Sequence, residues 1–210
     1  MKQVDRETYA FGGYCYPERW MSYYYQLREV TARNPSSLLE VGTGDGVFRE
    51  YIKTNTTIAY RNLDVAEDLK PDILGSVERI PLPDTSVDMV VAFEVLEHLP
   101  FEKFEQALGE LKRVSRGSVI ISLPHFGPPI ACSFKVPFLP KICFAFKIPL
   151  PKKHVFNGQH HWEIGKRGYS VRRIRSVLQK HFSIEKEFVP FENQYHHFFV
   201  LAKKNSDQKR

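Results

Sequence analysis

The sequence predicts an α/β fold: a doubly wound, mostly parallel sheet that ends in an antiparallel edge hairpin. Three observations carry this. Short apolar, β-branched runs alternate with helical patterns between residues 37 and 123, the order a parallel sheet covered by helices on both faces requires. The first run leads into the glycine-rich turn Gly42-Thr43-Gly44-Asp45-Gly46, which opens a helix. Two strand-like runs joined through Glu192-Asn193-Gln194 close the chain, as a hairpin would.

The elements follow in order. Residues 18–33 read as a helix stopped at Asn34-Pro35. Residues 37–41 are a buried strand by length and flanks, 47–53 a helix, 58–65 a second strand and 73–75 a short third. Residues 87–93 form a strong β-branched run. Residues 101–114 place Phe101, Phe104, Leu108, Leu111 and Val114 on one helical face, and 118–123 return as a strand. Crossovers between these parallel strands should be right-handed. From Pro124 the pattern breaks: Pro124, Pro128, Pro129, Pro137, Pro140, Pro149 and Pro151 exclude long regular helices. Order returns in a basic helix over 169–181, with Val171, Ile174, Val177 and Leu178 inward. Strands over 183–191 and 195–203 and a frayed tail, 204–210, complete the chain.

Composition narrows the function classes. A chain of 210 residues, 42% hydrophobic and 26% charged, suits a folded domain of 1–203 and not a disordered chain. Within it, residues 1–36 read as an aromatic cap, 37–125 as a ligand-binding core, 126–165 as an insertion or lid, and 166–203 as the C-terminal helix and hairpin. No run of about 20 apolar residues lacks charge or proline, so a membrane-spanning helix is not expected. The opening residues have no apolar region of the secretory type. Cys15, Cys132 and Cys143 have no C-x-x-C spacing, which argues against a disulfide framework and for a reducing, cytoplasmic setting.

Charge is unevenly spread. Residues 1–110 hold 11 Lys/Arg against 19 Asp/Glu, whereas 111–210 hold 19 against 5, and no acid occurs from 126 to 162. Such a basic half either solubilises the surface or faces an anion: a phosphate-bearing substrate, an acidic lipid surface or nucleic acid. Within 126–153, Phe126, Ile130, Phe134, Phe138, Leu139, Ile142, Phe144, Phe146 and Ile148 interleave with Lys135, Lys141, Lys147, Lys152 and Lys153. Two readings stand: a lid able to make peripheral contact with an anionic membrane, or an insertion that buries its aromatics in the core.

The glycine turn implies a ligand brought close to backbone at the carboxyl ends of the strands. Asp64, 22 residues after Gly42, ends the next strand, where a carboxylate can accept bonds from a ribose diol. A dinucleotide would need G-x-G-x-x-G; here the spacing is G-x-G-x-G, and Glu40 and Asp45 put carboxylates where a pyrophosphate would sit. Those carboxylates suit a ligand with a cationic amino-acid portion.

The segments LLEVGTGDG at 38–46, NLDV at 62–65, GSVERIPLPDTSVDMVVAFEVLEHL at 75–99 and ELKRVSRGSVIISLP at 110–124 resemble the class I S-adenosylmethionine-dependent methyltransferases, in particular their small-molecule-type group. The resemblance implies a Rossmann-like sheet of seven strands, the last entering antiparallel, and S-adenosylmethionine as cofactor. It implies that Glu40, Gly42, Thr43, Gly44 and Gly46 surround the methionine part, that Asp64 holds the ribose with Val65 beside the adenine, and that Ser76 and Val77 stand at the adenine edge. Ser76 replaces the Asp usual there. Phe93 and Glu94 would lie beside the cofactor, with Glu97-His98 opening the following loop.

Methyl transfer is an in-line displacement, and a general base is needed only for a protonated nucleophile. His125, just past the fifth main strand, is the candidate base; His98, His160, His161 and Trp162 are candidates for lining the acceptor site. Tyr9, Tyr14 and Tyr16 are candidates to close over the sulfonium. In His160-His161 and His196-His197, adjacent side chains on a strand point to opposite faces, so one of each pair at most reaches a given site. Neither pair has metal-ligand spacing, and no metal is expected. The sequence therefore indicates an enzyme methylating a small or lipid-linked, perhaps anionic, acceptor. The alternatives are an RNA methyltransferase using the basic half and a catalytically silent binding protein of the same fold.

Overall fold

Each central strand alternates apolar residues toward two helical layers, and this double-sided burial sets the architecture. The computed structural model describes residues 6–150 and 152–204. In chain order the elements are α1 (Phe11–Tyr14), α2 (Pro17–Thr31), β1 (Ser37–Val41), α3 (Val47–Asn55), β2 (Ala59–Asp64), β3 (Ile73–Leu74), β4 (Val87–Phe93), α4 (Phe101–Val114), β5 (Ser115–Pro124), β6 (Pro129–Phe134), β7 (Ile142–Lys147), α5 (Val171–His181), β8 (Phe182–Phe188) and β9 (His196–Lys203). Seven strands form one sheet in the order β3-β2-β1-β4-β5-β9-β8. β1 to β5 are parallel, and β9 enters antiparallel between β5 and β8.

On one face Leu39, Val41, Val90, Ala92, Val119, Ile121, Phe199 and Leu201 pack against Phe104 and Leu108 of α4 and Ile174 and Leu178 of α5. On the other, Leu38, Met89, Val91, Ile120 and Val200 meet Val30 of α2 and Phe48 and Ile52 of α3. Because β1 sits between β2 and β4, the connections leave it in opposite directions. A crevice opens at that point, at the carboxyl ends of the strands.

Helix α2 is tied to the edge of the sheet by charge. Glu29, 2% exposed, meets Lys186 of β8 at 2.6 Å, Arg28 at 2.7 Å and Arg33 at 3.2 Å.

Four differences from expectation have local causes. β5 begins at Ser115 and not at residue 118, because Ser115 already pairs with Val87. β8 stops at Phe188, two residues short of Pro190, which has no N–H to offer a partner strand. Residues 129–147 form a second, two-stranded antiparallel sheet, β6 with β7, paired from Pro129↔Lys147 to Phe134↔Ile142. Its strands fit the intervals between prolines, which exclude long helices but leave room for short strands. The reading that this insertion buries its aromatics fails: Phe134, Ile142, Phe144 and Phe146 are about half exposed, and Phe138, at φ +67, is fully exposed. Among the described residues no helix is long and apolar enough to cross a membrane. The expected frayed tail lies outside the described residues except for Lys204, as do the first five residues of the expected cap and Pro151.

Candidate functional site

The site grows from the turn after β1. Gly42 stands at φ +85, and an added Cβ would come 2.4 Å from Val95 Cγ2, so only glycine fits. Its N–H donates to Leu63 O at 2.8 Å, drawing the ends of β1 and β2 together. Asp64 fastens the same corner: Oδ2 accepts from Thr43 N at 2.7 Å and Oδ1 from Ala66 N at 2.8 Å. Each of these oxygens keeps a second lone pair for a ligand. Asp45 accepts from Val47 N at the start of α3 and from the Tyr23 hydroxyl at 2.7 Å.

A crevice of about 230 Å³ runs from this corner across the ends of β1, β2 and β4. Gly42, Gly44, Asp64, Val65, Ser76, Val77, Phe93 and Glu94 all line it. Phe93 packs edge-on against Phe48 at 5.5 Å, and Ser76 Oγ accepts from Glu78 N at 3.2 Å. The N-terminal segment supplies the opposite wall through Tyr9, Tyr14 and Arg19. The Arg19 guanidinium lies 4.2 Å from the Tyr14 ring centre. Its Nε is buried without a hydrogen-bond partner among the described residues. Burial, then the charges of Asp64 and Asp45, push the Tyr9 hydroxyl up to about 12.

The deep end holds carboxylates and imidazoles: Glu94, Glu97, His98, His160, Tyr195 and His196. Glu94 adopts φ +54, a left-handed conformation uncommon for a side-chain-bearing residue. Its Oε2 lies 3.6 Å from His196 Nε2, while Oε1 is buried without a partner among the described residues. Burial raises Glu94 to about 8 and raises Glu97 well above the carboxylate range. Burial and neighbouring His160 hold His98 down at about 4; burial and Arg19 hold His196 at about 3. His196 Nδ1 is 2.6 Å from Ser22 Oγ of α2.

Several expected residues stand elsewhere. Glu40, 4% exposed, lies behind the turn, where the Tyr60 hydroxyl donates to it; burial pushes its carboxyl up to about 8. Thr43 and Gly46 line a neighbouring depression with Arg49 and Asp68, which meets the main crevice at Tyr9, Gly44 and Leu69. His125 does not open onto the crevice. It stacks on His197, with the Nδ1 atoms 3.0 Å apart, and His197 Nε2 lies 2.8 Å from Glu187. Burial, Lys147 and His197 hold His125 at about 3. Trp162 is wholly buried among Phe101, Phe104 and Tyr169 and donates to Leu99 O at 3.1 Å, so it is core and not an acceptor wall. His161 turns away toward Phe156, 4.5 Å between ring centres, leaving His160 on the crevice. One histidine of each adjacent pair lines the crevice; alternation along β9 accounts for His196 and His197, whereas His160 and His161 lie outside any strand.

Sequence reasoning missed Arg19, Tyr195 and His196 as crevice residues. Arg19 carries no motif, and helix 18–33 showed no feature aiming it. His196 was within reach of the adjacent-pair rule, but nothing local chose between it and His197.

Residues 39–122 match the model of the methyltransferase domain family. The match runs from β1 into β5, so this part of the chain is similar to that domain. No curated protein matches the chain. Solved structures share its fold at low identity. A protein from Pyrococcus horikoshii, PH0226, has a TM-score of 0.61 at 13% identity, covering 94% of this chain and 96% of its own. The N-methyltransferase NodS of Bradyrhizobium japonicum, in complex with S-adenosylhomocysteine, gives 0.60 at 11%, covering 91% and 90%. The 1,6-didemethyltoxoflavin-N1-methyltransferase of Burkholderia thailandensis, with S-adenosylhomocysteine bound, gives 0.61 at 12%, covering 90% and 79%. These likenesses are likenesses of fold.

Proposed function

We propose that the protein is an S-adenosylmethionine-dependent methyltransferase whose acceptor is presented at an anionic lipid surface. The observation that carries the first half is the charge pattern of the crevice. Arg19 offers a buried guanidinium nitrogen with no partner, and Glu94 a buried carboxylate oxygen with none, among the described residues. A zwitterionic amino-acid end needs such a pair: a donor for its carboxylate and an acceptor for its ammonium. A pyrophosphate, with two negative groups, would be repelled by Asp64 and Asp45. In this reading Asp64 takes the ribose hydroxyls, Val65, Ser76 and Val77 face the adenine, and Gly42 and Gly44 let the methionine portion reach backbone. S-adenosylmethionine supplies the methyl group on sulfur. The chain's task is to hold it in line with the nucleophile in a dry cavity. Sulfur leaves neutral, so no acid is required.

The lipid half rests on the β6–β7 arm. Phe134, Phe138, Ile142, Phe144 and Phe146 are exposed beside Lys135 and Lys141, in a stretch without an acid. An apolar tip ringed by lysines matches an anionic bilayer surface, where each lysine contributes about 1 kcal/mol.

Calorimetric titration of the full chain with S-adenosylmethionine, S-adenosylhomocysteine and NAD tests the cofactor. Binding of the first two alone supports the reading, and binding of NAD alone overturns it. Co-sedimentation with phosphatidylserine-containing and with purely phosphatidylcholine vesicles tests the surface. Phe138→Ser should weaken binding to the anionic vesicles roughly 10- to 150-fold, since burying a whole Phe side chain is worth about 1.5–3 kcal/mol. Equal binding of the variant, or tighter binding to tRNA than to vesicles, removes the lipid reading.

A further inference from the structure

Glu97 lines the deep end of the crevice and is 0% exposed, and neither of its carboxylate oxygens accepts a hydrogen bond from another described residue. A buried carboxyl group left without donors is costly, and a ligand that brings donors relieves the cost. The backbone beneath it is fixed. Glu97 O accepts from His161 N at 2.9 Å, which ties the single 3-10 turn after β4 to the stretch that carries His160.

The side chains around Glu97 are engaged elsewhere. His160 Nε2 stands 3.9 Å from Glu97 Oε1, beyond hydrogen-bond reach, while its Nδ1 lies 3.2 Å from Glu163 Oε1. The Tyr195 hydroxyl donates to Glu163 at 3.2 Å, and His98 Nδ1 lies 3.0 Å from Gln159 O. Arg19 and Glu94 are matched to the two ends of the cofactor's amino-acid portion. The deep end therefore offers two proton-accepting oxygens on Glu97 and no donor to meet them.

An amine supplies what is missing. A protonated primary or secondary amine brings at least two N–H donors and can satisfy both Glu97 oxygens, whereas a hydroxyl brings one and a quaternary ammonium none. We propose that Glu97 binds the amino group of a primary or secondary amine acceptor at the deep end of the crevice and takes its proton. This deepens the methyltransferase reading, and rests on it, by naming the acceptor class; at a lipid surface, that acceptor is an amine-bearing headgroup. An alkylammonium has no lone pair, so a proton leaves first, from nitrogen to a Glu97 oxygen. The nitrogen lone pair then forms the bond to the methyl carbon. The carbon–sulfur bond breaks with its electron pair kept by sulfur, giving a neutral thioether. The positive charge passes from sulfur to nitrogen, and the proton on Glu97 goes to water when the product departs. An ordinary carboxyl is about a million-fold stronger an acid than an alkylammonium, and so a poor base for this step. Burial, and then Glu94, raise Glu97 well above the carboxylate range, which narrows the gap; Glu163 adds to the rise and Arg19 opposes it.

The test follows a radiolabelled methyl group from S-adenosylmethionine, with the full chain and two kinds of vesicle. One is phosphatidylglycerol alone, whose headgroup bears hydroxyls. The other is phosphatidylglycerol mixed with phosphatidylethanolamine, whose headgroup bears a primary amine. Label should enter the phosphatidylethanolamine alone. Glu97→Gln keeps the shape but cannot hold the proton, and should slow the transfer about 100-fold or more at neutral pH. Its rate should climb as pH rises toward about 10, where solution supplies the free amine; a merely structural role gives no such recovery. S-adenosylhomocysteine is titrated into both proteins and should bind both, which shows that the variant folds. While S-adenosylhomocysteine binds the parent, three results overturn the amine and leave the methyltransferase reading in place: label in phosphatidylglycerol, no label in either sample, or a Glu97→Gln rate that equals the parent's or stays flat with pH. If S-adenosylhomocysteine does not bind the parent chain, the methyltransferase reading falls and the amine step falls with it.

Discussion

Gly42→Ala would probe the corner on which the whole crevice is built. Two costs add there. An L-residue at φ +85 pays about 1–2 kcal/mol. The new Cβ, 2.4 Å from Val95 Cγ2, forces an overpacked contact worth about 1–3 kcal/mol. The sum is about 2–5 kcal/mol, and for a chain near this size each kcal/mol lowers Tm by about 2–4 °C. Thermal unfolding should therefore fall by roughly 5–15 °C. Gly44→Ala is the control: φ is +53 and nothing lies within 4 Å of its added Cβ, so only about 1 kcal/mol is at stake. The nearest atoms to the Gly42 Cβ all belong to Val95, so Val95→Ala should restore part of the loss in a double-mutant cycle. If Gly42→Ala and Gly44→Ala melt together, or if Val95→Ala restores nothing, steric closure of this corner is wrong.

Other perturbations reach different parts of the molecule. Asp64→Ala should weaken S-adenosylhomocysteine binding by more than about 1 kcal/mol, read by calorimetry; unchanged affinity removes Asp64 from the ligand. His125→Ala should leave turnover within about threefold of the parent, because His125 stacks on His197 outside the crevice, and a larger loss would return it to the chemistry. Glu40 carries a carboxyl raised to about 8, so the folded state binds a proton that the unfolded chain releases above its ordinary range. Its contribution is present at low pH and is lost as pH rises toward 8, with a slope of up to about 1.4 kcal/mol per pH unit. Glu40→Gln should flatten that decline in denaturant melts between pH 5 and 8, and an unchanged slope would show Glu40 ionised in the fold.

The sheet was legible because its strands are buried on both faces. Val87–Phe93 has no other stable home than a central strand, and the glycines of 42–46 announce a close approach of backbone. Asp64, Phe93 and Glu94 could be placed because each sits at the end of a strand whose position the pattern fixed. What stayed hidden depends on contacts far apart in the chain. Ser22 meets His196 across 174 residues, and His125 meets His197 across 72. Which member of a histidine pair faces the crevice is set by the pairing of β9 with β5, a register that composition does not encode. Trp162 misled for a related reason: its segment has no periodicity, so only the aromatic cluster of α4 shows that it is core. The β6–β7 pairing escaped because its strands lack the one-sided burial that marks an alternating strand.

The clamp of Lys186, Arg28 and Arg33 on buried Glu29 has an effect beyond the sheet edge. Helix α2 carries Arg19 and Tyr23, so the wall facing the glycine turn is anchored at its far end by β8, a strand that lines no part of the crevice. Weakening that remote anchor would loosen the roof above the ligand, and a change near the carboxyl terminus would be felt first as a faster escape of whatever the hollow holds.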